Sequence, residues 1–438
     1  MGVYVDLRIK ALSLLEWKNY FDRETLGLFF TDDDLIITDN VKYDEEDLDE
    51  EPHTEYRYST TVQKAIDRLN AAGYTLSAIK KEFEEKKHSC LDYFSLLYDL
   101  QCNDDEYDAI QSERTNKYVT FQKWYNSVWK YAKLGLEHGL HLHWKKDIDM
   151  SFLPKNECDK LVYRSLKDGE KSYFGCLFSE FSPINTIRMI LEKCSREEEL
   201  SIDITEMIDW TYTSIEDMRI GDPTEKTIIL LEGTNDKEIL EFALKMIYPH
   251  LYNLYYFMDF EFDKVKKRRG GVDTISNNMK AFIYSKLKSR FIALYDNDTA
   301  GTQALKKLCF EVGEMPDNCR ALHYPDIARA KRYPTIGING KTVLDNINGR
   351  ACSIEIYLPD FIIKNGTEYP PIEWGNRMKA EIAGETLNEY QGKVLTKPDI
   401  ETRVKKYKNA LQQGEKTFDV AQWSDIKKIL DAIIHAFD

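Results

Sequence analysis

The stretch TIILLEGTNDKEIL, Thr227 to Leu240, and its counterpart FIALYDNDTAG, Phe291 to Gly301, decide how this chain is read. Each is a β-branched or aliphatic run that stops abruptly at carboxylates, with small residues just beyond. That is the pattern of a buried parallel strand whose C-terminal edge presents acids to a crevice, where open α/β sheets bind ligands. Glu232, Asp236, Asp296 and Asp298 are therefore expected to converge. Four carboxylates in a small volume need a counter-charge, and oxygen-only ligand sets hold hard divalent cations such as Mg²⁺ or Mn²⁺. Gly233 and Gly301, just beyond the acids, are expected to allow positive φ and close approach of a phosphate.

Working outward, strands alternate with helices. Strands are expected at Thr227 to Leu231, within Leu254 to Phe260, at Arg290 to Tyr295 and at Arg320 to His323. Helices are expected at Asp236 to Met246, from near Val272, and around Ala304 to Val312. Such alternation implies right-handed crossovers and a parallel sheet. Gly221-Asp222-Pro223 is a turn signal just ahead of the first strand, and the domain boundary is placed there.

A strand ending in Glu-Gly with Asp three residues after the Gly, followed some sixty residues later by a strand ending in Asp-x-Asp, resembles the Toprim domain of topoisomerases, DnaG-type primases and overcoming-lysogenization-defect nucleases. The resemblance covers roughly residues 226–365. It implies an α/β Toprim fold, Rossmann-like, with a mostly parallel sheet flanked by helices, and divalent-metal-assisted phosphodiester chemistry on DNA or RNA. ACSIEIYLPDFII, Ala351 to Ile363, resembles the segment of those nucleases where a further glutamate completes the metal site, which adds Glu355. The nucleases also use a lysine after this region to stabilise the transition state. YQGKVLTKPDI offers Lys393 and Lys397, of which Lys397 is favoured.

The resemblance implies a two-metal endonuclease, with Glu232 and Asp236 on one ion, Asp296 and Asp298 on the other, and Glu355 bridging or supporting. Two ions ~3.5–4 Å apart activate water and stabilise the leaving oxygen. Glu232 as general base is the open alternative, the role such a glutamate is thought to have in topoisomerases and primases. Hydrolysis is favoured because no large DNA-gating domains and no primase modules are evident.

The opening MGVYVDLRIKALSLLEWKNY, with the later RLNAAGYTL, is similar to the amino-terminal module of HEPN/Toprim-associated proteins. An active HEPN ribonuclease should carry Arg, four to six residues, then His, and none of the eight histidines has an arginine at that distance. Catalysis is therefore not expected from this module. Proteins of this kind resemble antiphage or toxin-like effectors. GINGKT, Gly337 to Thr342, lacks the spacing of a P-loop, so ATP hydrolysis is not expected, a departure from overcoming-lysogenization-defect proteins.

The layout expected is an N-terminal α+β, mainly helical domain over 1–222, a catalytic domain over 223–365, and a small C-terminal helical extension over 366–438 that completes or covers it. In the first part, strand-like runs lie at Val3 to Arg8, Leu26 to Phe30 and Leu35 to Thr38. TTVQKAIDRLNAAGYTLSAIKKEFEE then reads as two helices broken at Gly73.

A net charge of −15 over 438 residues would ordinarily oppose nucleic-acid binding. Residues 226–365, however, hold 21 Lys+Arg against 17 Asp+Glu, giving +4 and leaving −19 for the rest. Residues 32–55 alone hold twelve acids and one lysine, the composition of a solvated acidic loop or of a nucleic-acid mimic occluding a basic site. KVKKRRGG, Lys264 to Gly271, ahead of a helix, reads as a phosphate-binding loop through Lys266, Lys267, Arg268 and Arg269, or as a solvated basic loop.

HGLHLHW, His138 to Trp144, clusters three imidazoles without a convincingly spaced acidic or cysteine partner, so metal binding there is disfavoured. Eight scattered cysteines with no Cys-x-x-Cys pair fit reduced thiols. Mean hydropathy of −0.51, no apolar run near the ~20 residues a membrane span needs and no signal peptide point to the cytoplasm. A regulatory protein partner and a homo-oligomer are both compatible with this reading. Two competing functions are a catalytically silent nucleic-acid-binding or regulatory subunit and, more remotely, an Asp-x-Asp glycosyltransferase.

Overall fold

The computed structural model describes residues 2–20, 22–41, 53–92, 119–138, 158–159, 162, 181–211, 214–223, 225–258, 271–337, 340–382 and 384–438. The chain divides into two compact units, Met1–Thr224 and Glu225–Phe437.

The first unit contains strands β1 (Tyr4–Ile9), β2 (Leu12–Lys18), β3 (Leu35–Val41), β4 (His53–Thr61) and β5 (Glu199–Asp203) in one sheet of order β2-β1-β5-β4-β3. Every pairing in it is antiparallel. Helices α1 (Arg23–Leu26), α2 (Val62–Ala72), α3 (Leu76–Asp92), α4 (Phe121–His138), α5 (Pro183–Lys193) and α6 (Thr205–Thr211) accompany it. Helix α2 begins where the Thr61 side chain accepts from Lys64 N and ends at Gly73 with φ 106°, a left-handed cap that only glycine adopts cheaply. Its apolar stripe, Val62, Ala65, Ile66 and Leu69, enters a core shared with Leu7, Ile9, Leu14, Trp124 and Ile187.

Two expectations are corrected here. Leu26 to Phe30 is the end of α1 and the turn after it, not a strand; Asp22 caps that helix by accepting from Thr25 N at 3.1 Å. The acidic segment 32–55 is not a single loop, because residues 35–41 and 53 onward lie in strands β3 and β4. Residues 42–52 of that segment lie outside the described residues, as do 139–144 of the histidine cluster.

The second unit is built on a parallel sheet of β6 (Thr227–Leu230), β7 (Tyr255–Met258), β8 (Phe291–Tyr295) and β10 (Cys319–His323), in the order β10-β8-β6-β7. β8 is buried along its whole length, which explains its uninterrupted apolar run: a strand covered on both faces has no solvent side to alternate with. Helices α7 (Thr234–Ile247), α8 (Val272–Tyr284) and α9 (Thr299–Val312) are the crossovers. Ile275 and Met279 of α8 and Leu308 of α9 pack with Leu230, Phe291, Ala293 and Tyr295. A short pair, β9 (Asn297–Asp298) with β13 (Ala351–Cys352), holds the turn after β8.

Beyond this, β11 (Tyr333–Ile336), β12 (Thr342–Asp345), β14 (Ile372–Ile382) and β15 (Glu385–Val394) form a second sheet of order β12-β11-β14-β15. GINGKT therefore spans the β11–β12 connection, which Gly337 N closes onto Lys341 O at 2.9 Å. Helices α10 (Asp360–Ile363), α11 (Lys397–Gln412) and α12 (Ser424–Ile434) complete the unit. The segment 366–438 is thus not simply helical: it opens with a hairpin of 11 and 10 residues. Among the described residues, no helix is long and apolar enough to cross a membrane.

Candidate functional site

The order of the parallel sheet locates a crevice. From β6 the chain moves outward to β7, then returns to place β8 on the other side of β6 and β10 beyond it. The reversal falls between β6 and β8, and open α/β sheets hold ligands at the C-terminal ends of the strands at that point. Leu230 pairs in register with Ala293, so Glu232 and Asp296 leave adjacent strands at nearly the same height. Asp296 N donates to Glu232 Oε1 at 3.1 Å.

The other acids are placed by neighbouring elements. Asp236 lies in the first turn of α7 and accepts from the Tyr324 hydroxyl at 2.9 Å. Asp298 is the N-cap of α9, with Oδ1 accepting from Gly301 N at 2.7 Å and Oδ2 accepting from Gln391 Nε2. Glu355, in a 3₁₀ turn over Ile354–Tyr357, is 1 % exposed. Its Oε2 accepts from Ser353 Oγ at 2.6 Å and its Oε1 lies 3.0 Å from Lys397 Nζ, an ion contact off the line of a hydrogen bond. Lys397 opens α11 directly after Thr396, a non-glycine residue at φ 62°. Lys393 is elsewhere, paired with Glu373 at 3.0 Å on the hairpin surface. Lys266, Lys267, Arg268 and Arg269 lie outside the described residues.

Electrostatics tie the acids into one cluster. Burial and the Asp298 charge, joined by Asp236, push the Glu232 carboxyl up to about 7. Burial and Glu355 push Asp236 up to about 6, against the stabilising Tyr324 hydroxyl. Asp296 is driven well above the ordinary range, first by burial and then by Glu232, Asp236, Asp298 and Glu355 together. Asp298 is raised by burial despite its hydrogen bonds. For Lys397, burial works to lower the ammonium's pKa, but Glu355, Asp296 and Asp236 outweigh it and hold it above the usual lysine value. A surplus of buried negative charge this large favours any cation that enters.

The glycines act differently from expectation. Neither Gly233 nor Gly301 has positive φ: Gly233 is extended at φ −153° and Gly301 lies inside the first turn of α9. Gly301 is instead required by close approach, since a Cβ there would run into the Asp296 carbonyl oxygen. That contact lets the backbone turn from β8 to α9 tightly enough to bring Asp296 and Asp298 to one place.

Residues 1–226, just over half of the 438, match the HEPN/Toprim N-terminal domain 1 family. The chain belongs to this family. No curated protein and no solved structure matches it. In this HEPN/Toprim-family chain the carboxylate cluster lies outside the matched segment, so the second unit's chemistry is argued from its own residues.

Two cluster partners escaped the sequence reading. Tyr324 follows the last parallel strand as an unremarkable aromatic, and Gln391 lies in YQGKVLTKPDI, where the lysines drew the reading. Among the described residues, no three or more His, Cys, Asp or Glu side chains are already gathered at ligand spacing; the arrangement is a carboxylate cluster rather than a closed metal cage. Its donors are nevertheless all oxygen, as hard divalent cations require, and Asp296 Oδ1 is buried without a hydrogen-bond partner. Unsatisfied buried carboxylate oxygen is costly, and a divalent cation is the partner this donor set fits.

Proposed function

We propose that the protein is a metal-dependent nuclease whose second unit is a Toprim-like catalytic domain, cleaving phosphodiester bonds of DNA or RNA. The observation that carries the proposal is the meeting of Glu232 with Asp296 and Asp298 at the sheet's reversal point, tied by the Asp296 N to Glu232 bond. Membership of a family named for HEPN and Toprim domains supports the nuclease class. Glu232, Asp236, Asp296, Asp298 and Glu355 are the residues that would hold Mg²⁺ or Mn²⁺. The bound ions would supply Lewis-acid activation of the scissile phosphate.

The chain's own residues set the rest. Lys397, whose Nζ lies beside Glu355, would donate to phosphate oxygens as negative charge develops. Tyr324 holds Asp236 in one orientation. General base is the alternative role for Glu232, whose carboxyl burial and the Asp298 charge push up to about 7 in the metal-free fold; a bound cation would lower it. An antiphage or toxin-like role in the cytoplasm, with a regulatory partner, is the biological setting proposed.

The test is incubation of the purified protein with plasmid, single-stranded DNA and total tRNA, each with Mn²⁺ or Mg²⁺ and then with EDTA. Cleavage of one substrate that EDTA stops is expected. If Asp296→Ala with Asp298→Ala cleaves as fast as the unaltered chain, catalysis lies elsewhere.

A further inference from the structure

We infer that Gln391 is a positioning residue for Asp298, delivered to the carboxylate cluster by the β14–β15 hairpin; the inference rests on the metal-site reading above. Gln391 lies 93 residues beyond Asp298 in the chain, yet its Nε2 donates to Asp298 Oδ2. Its other amide atom is also engaged, with Ala300 N donating to Gln391 Oε1 at 3.0 Å. That second bond fixes which end of the amide faces the carboxylate. An ionised carboxylate only accepts, so the NH₂ faces Asp298 and Oε1 faces the Ala300 N–H.

The hairpin is moored around the same turn by neighbouring contacts. Thr299 Oγ1 donates to Tyr390 O at 2.7 Å, and Gly392 N donates to Arg350 O at 3.1 Å, next to the β13–β9 pair that carries Asp298. With Gly301 N on Oδ1 and Gln391 on Oδ2, each Asp298 oxygen has a fixed donor and keeps accepting capacity for a cation. Partners that orient a metal-binding carboxylate in this way typically contribute 10–100-fold to metal affinity or activity.

A purely structural role for Gln391 predicts something different. In that case any loosening of the hairpin at this turn should do equal harm. Thr299→Val provides the comparison, because it removes the bond to Tyr390 O and leaves both Asp298 partners in place.

The experiment is Mn²⁺ titration of the full chain, followed by calorimetry and by the rise in melting temperature, for the unaltered protein and for Gln391→Met, Gln391→His, Thr299→Val and Asp298→Asn. Gln391→Met should weaken Mn²⁺ binding about tenfold or more, with a metal-free melting temperature no lower than that of Thr299→Val. Gln391→His keeps an N–H at comparable reach, and should recover part of the loss even if the methionine variant fails to fold. Thr299→Val should bind Mn²⁺ as the unaltered chain does. Gln391→Met binding no differently from Thr299→Val, or Gln391→His binding no tighter than Gln391→Met, overturns the inference. Asp298→Asn binding Mn²⁺ with unaltered affinity would instead overturn the metal-site reading beneath it, so the two failures are distinguishable.

Discussion

The backbone amide of Asp296 donates to the carboxylate of Glu232 across 64 residues of sequence. Because the donor is main chain at the end of one parallel strand and the acceptor a side chain at the end of the next, the bond reports strand order as well as proximity. β6 and β8 must be neighbours, in register and parallel, for it to form. It also gives Glu232 a fixed orientation while leaving the Asp296 carboxyl uncompensated, with Oδ1 buried and without a partner.

The first consequence is a pH-dependent stability of the metal-free protein. Glu232 rises from 4.5 to about 7 and Asp236 from 3.8 to about 6 on folding. A carboxyl whose pKa is higher in the fold favours the fold while protonated. Its contribution is complete below the unfolded values, near pH 4, and is lost as pH climbs through about 6 to 7. The melting temperature in EDTA should therefore fall between pH 5 and pH 8, and excess Mg²⁺ should remove most of that fall. At pH 8 without metal, Glu232→Gln should be more stable than the unaltered protein by ~1–3 kcal/mol, with the difference vanishing near pH 4. A flat melting profile in EDTA would contradict this.

A second expectation separates the two glycines that look alike in sequence. Gly301→Ala drives a methyl group into the Asp296 carbonyl oxygen, a backbone atom that cannot rotate away. It should cost ~1–3 kcal/mol, as overpacking does, and should reduce metal-dependent cleavage by shifting the Gly301 N–H from Asp298. Gly233→Ala meets only the Asp236 Oδ2 side-chain atom, at 3.3 Å, on an extended backbone. Its stability should change by well under half as much. Chemical denaturation of both variants, with cleavage rates alongside, decides the point.

What was legible in the sequence follows from what burial does to a pattern. β6 and β8 are central strands of a parallel sheet, so their apolar runs are continuous and the acids that end them stand out. Glu355 came through the family resemblance, and a carboxylate within IEIYL marks a buried charge in the same way. The hairpin β14–β15 left a weaker mark: RMKAEI, Arg377 to Ile382, alternates polar with apolar residues, and exposed with half-buried ones, as a strand with one solvent face does, but the register shift between Trp374 and Arg377 interrupts that alternation. The sheet-building part of the C-terminal segment was overlooked in consequence, and Gln391, inside YQGKVLTKPDI, was passed over for the lysines beside it. LGLFF at Leu26 to Phe30 was misread because a short apolar run does not distinguish a strand from a helix end, and the Asp22 cap three residues before Thr25 was the overlooked signal.

The last prediction concerns Lys397. Its Nζ lies 3.0 Å from Glu355 Oε1, and Glu355 is 1 % exposed. Lys397→Met keeps much of the side chain's length and removes the charge, leaving a buried carboxylate facing Asp236 and Asp296 with only Ser353 Oγ as donor. Removing one member of such a pair costs more than the pair contributes, because the remaining charge is stranded. The loss should be ~1–3 kcal/mol, below the fully buried case because the lysine side chain is 48 % exposed and solvent screens it. Adding Glu355→Gln should restore most of that stability, since the stranded charge is then gone. Cleavage should behave otherwise: the double variant should be as inactive as Lys397→Met alone. Because Glu355 is itself among the residues that would hold the metal, Glu355→Gln alone is the reference: stability recovered with activity well below that single variant would assign Lys397 to the reaction, whereas activity equal to it would reduce Lys397 to a structural counter-ion of Glu355.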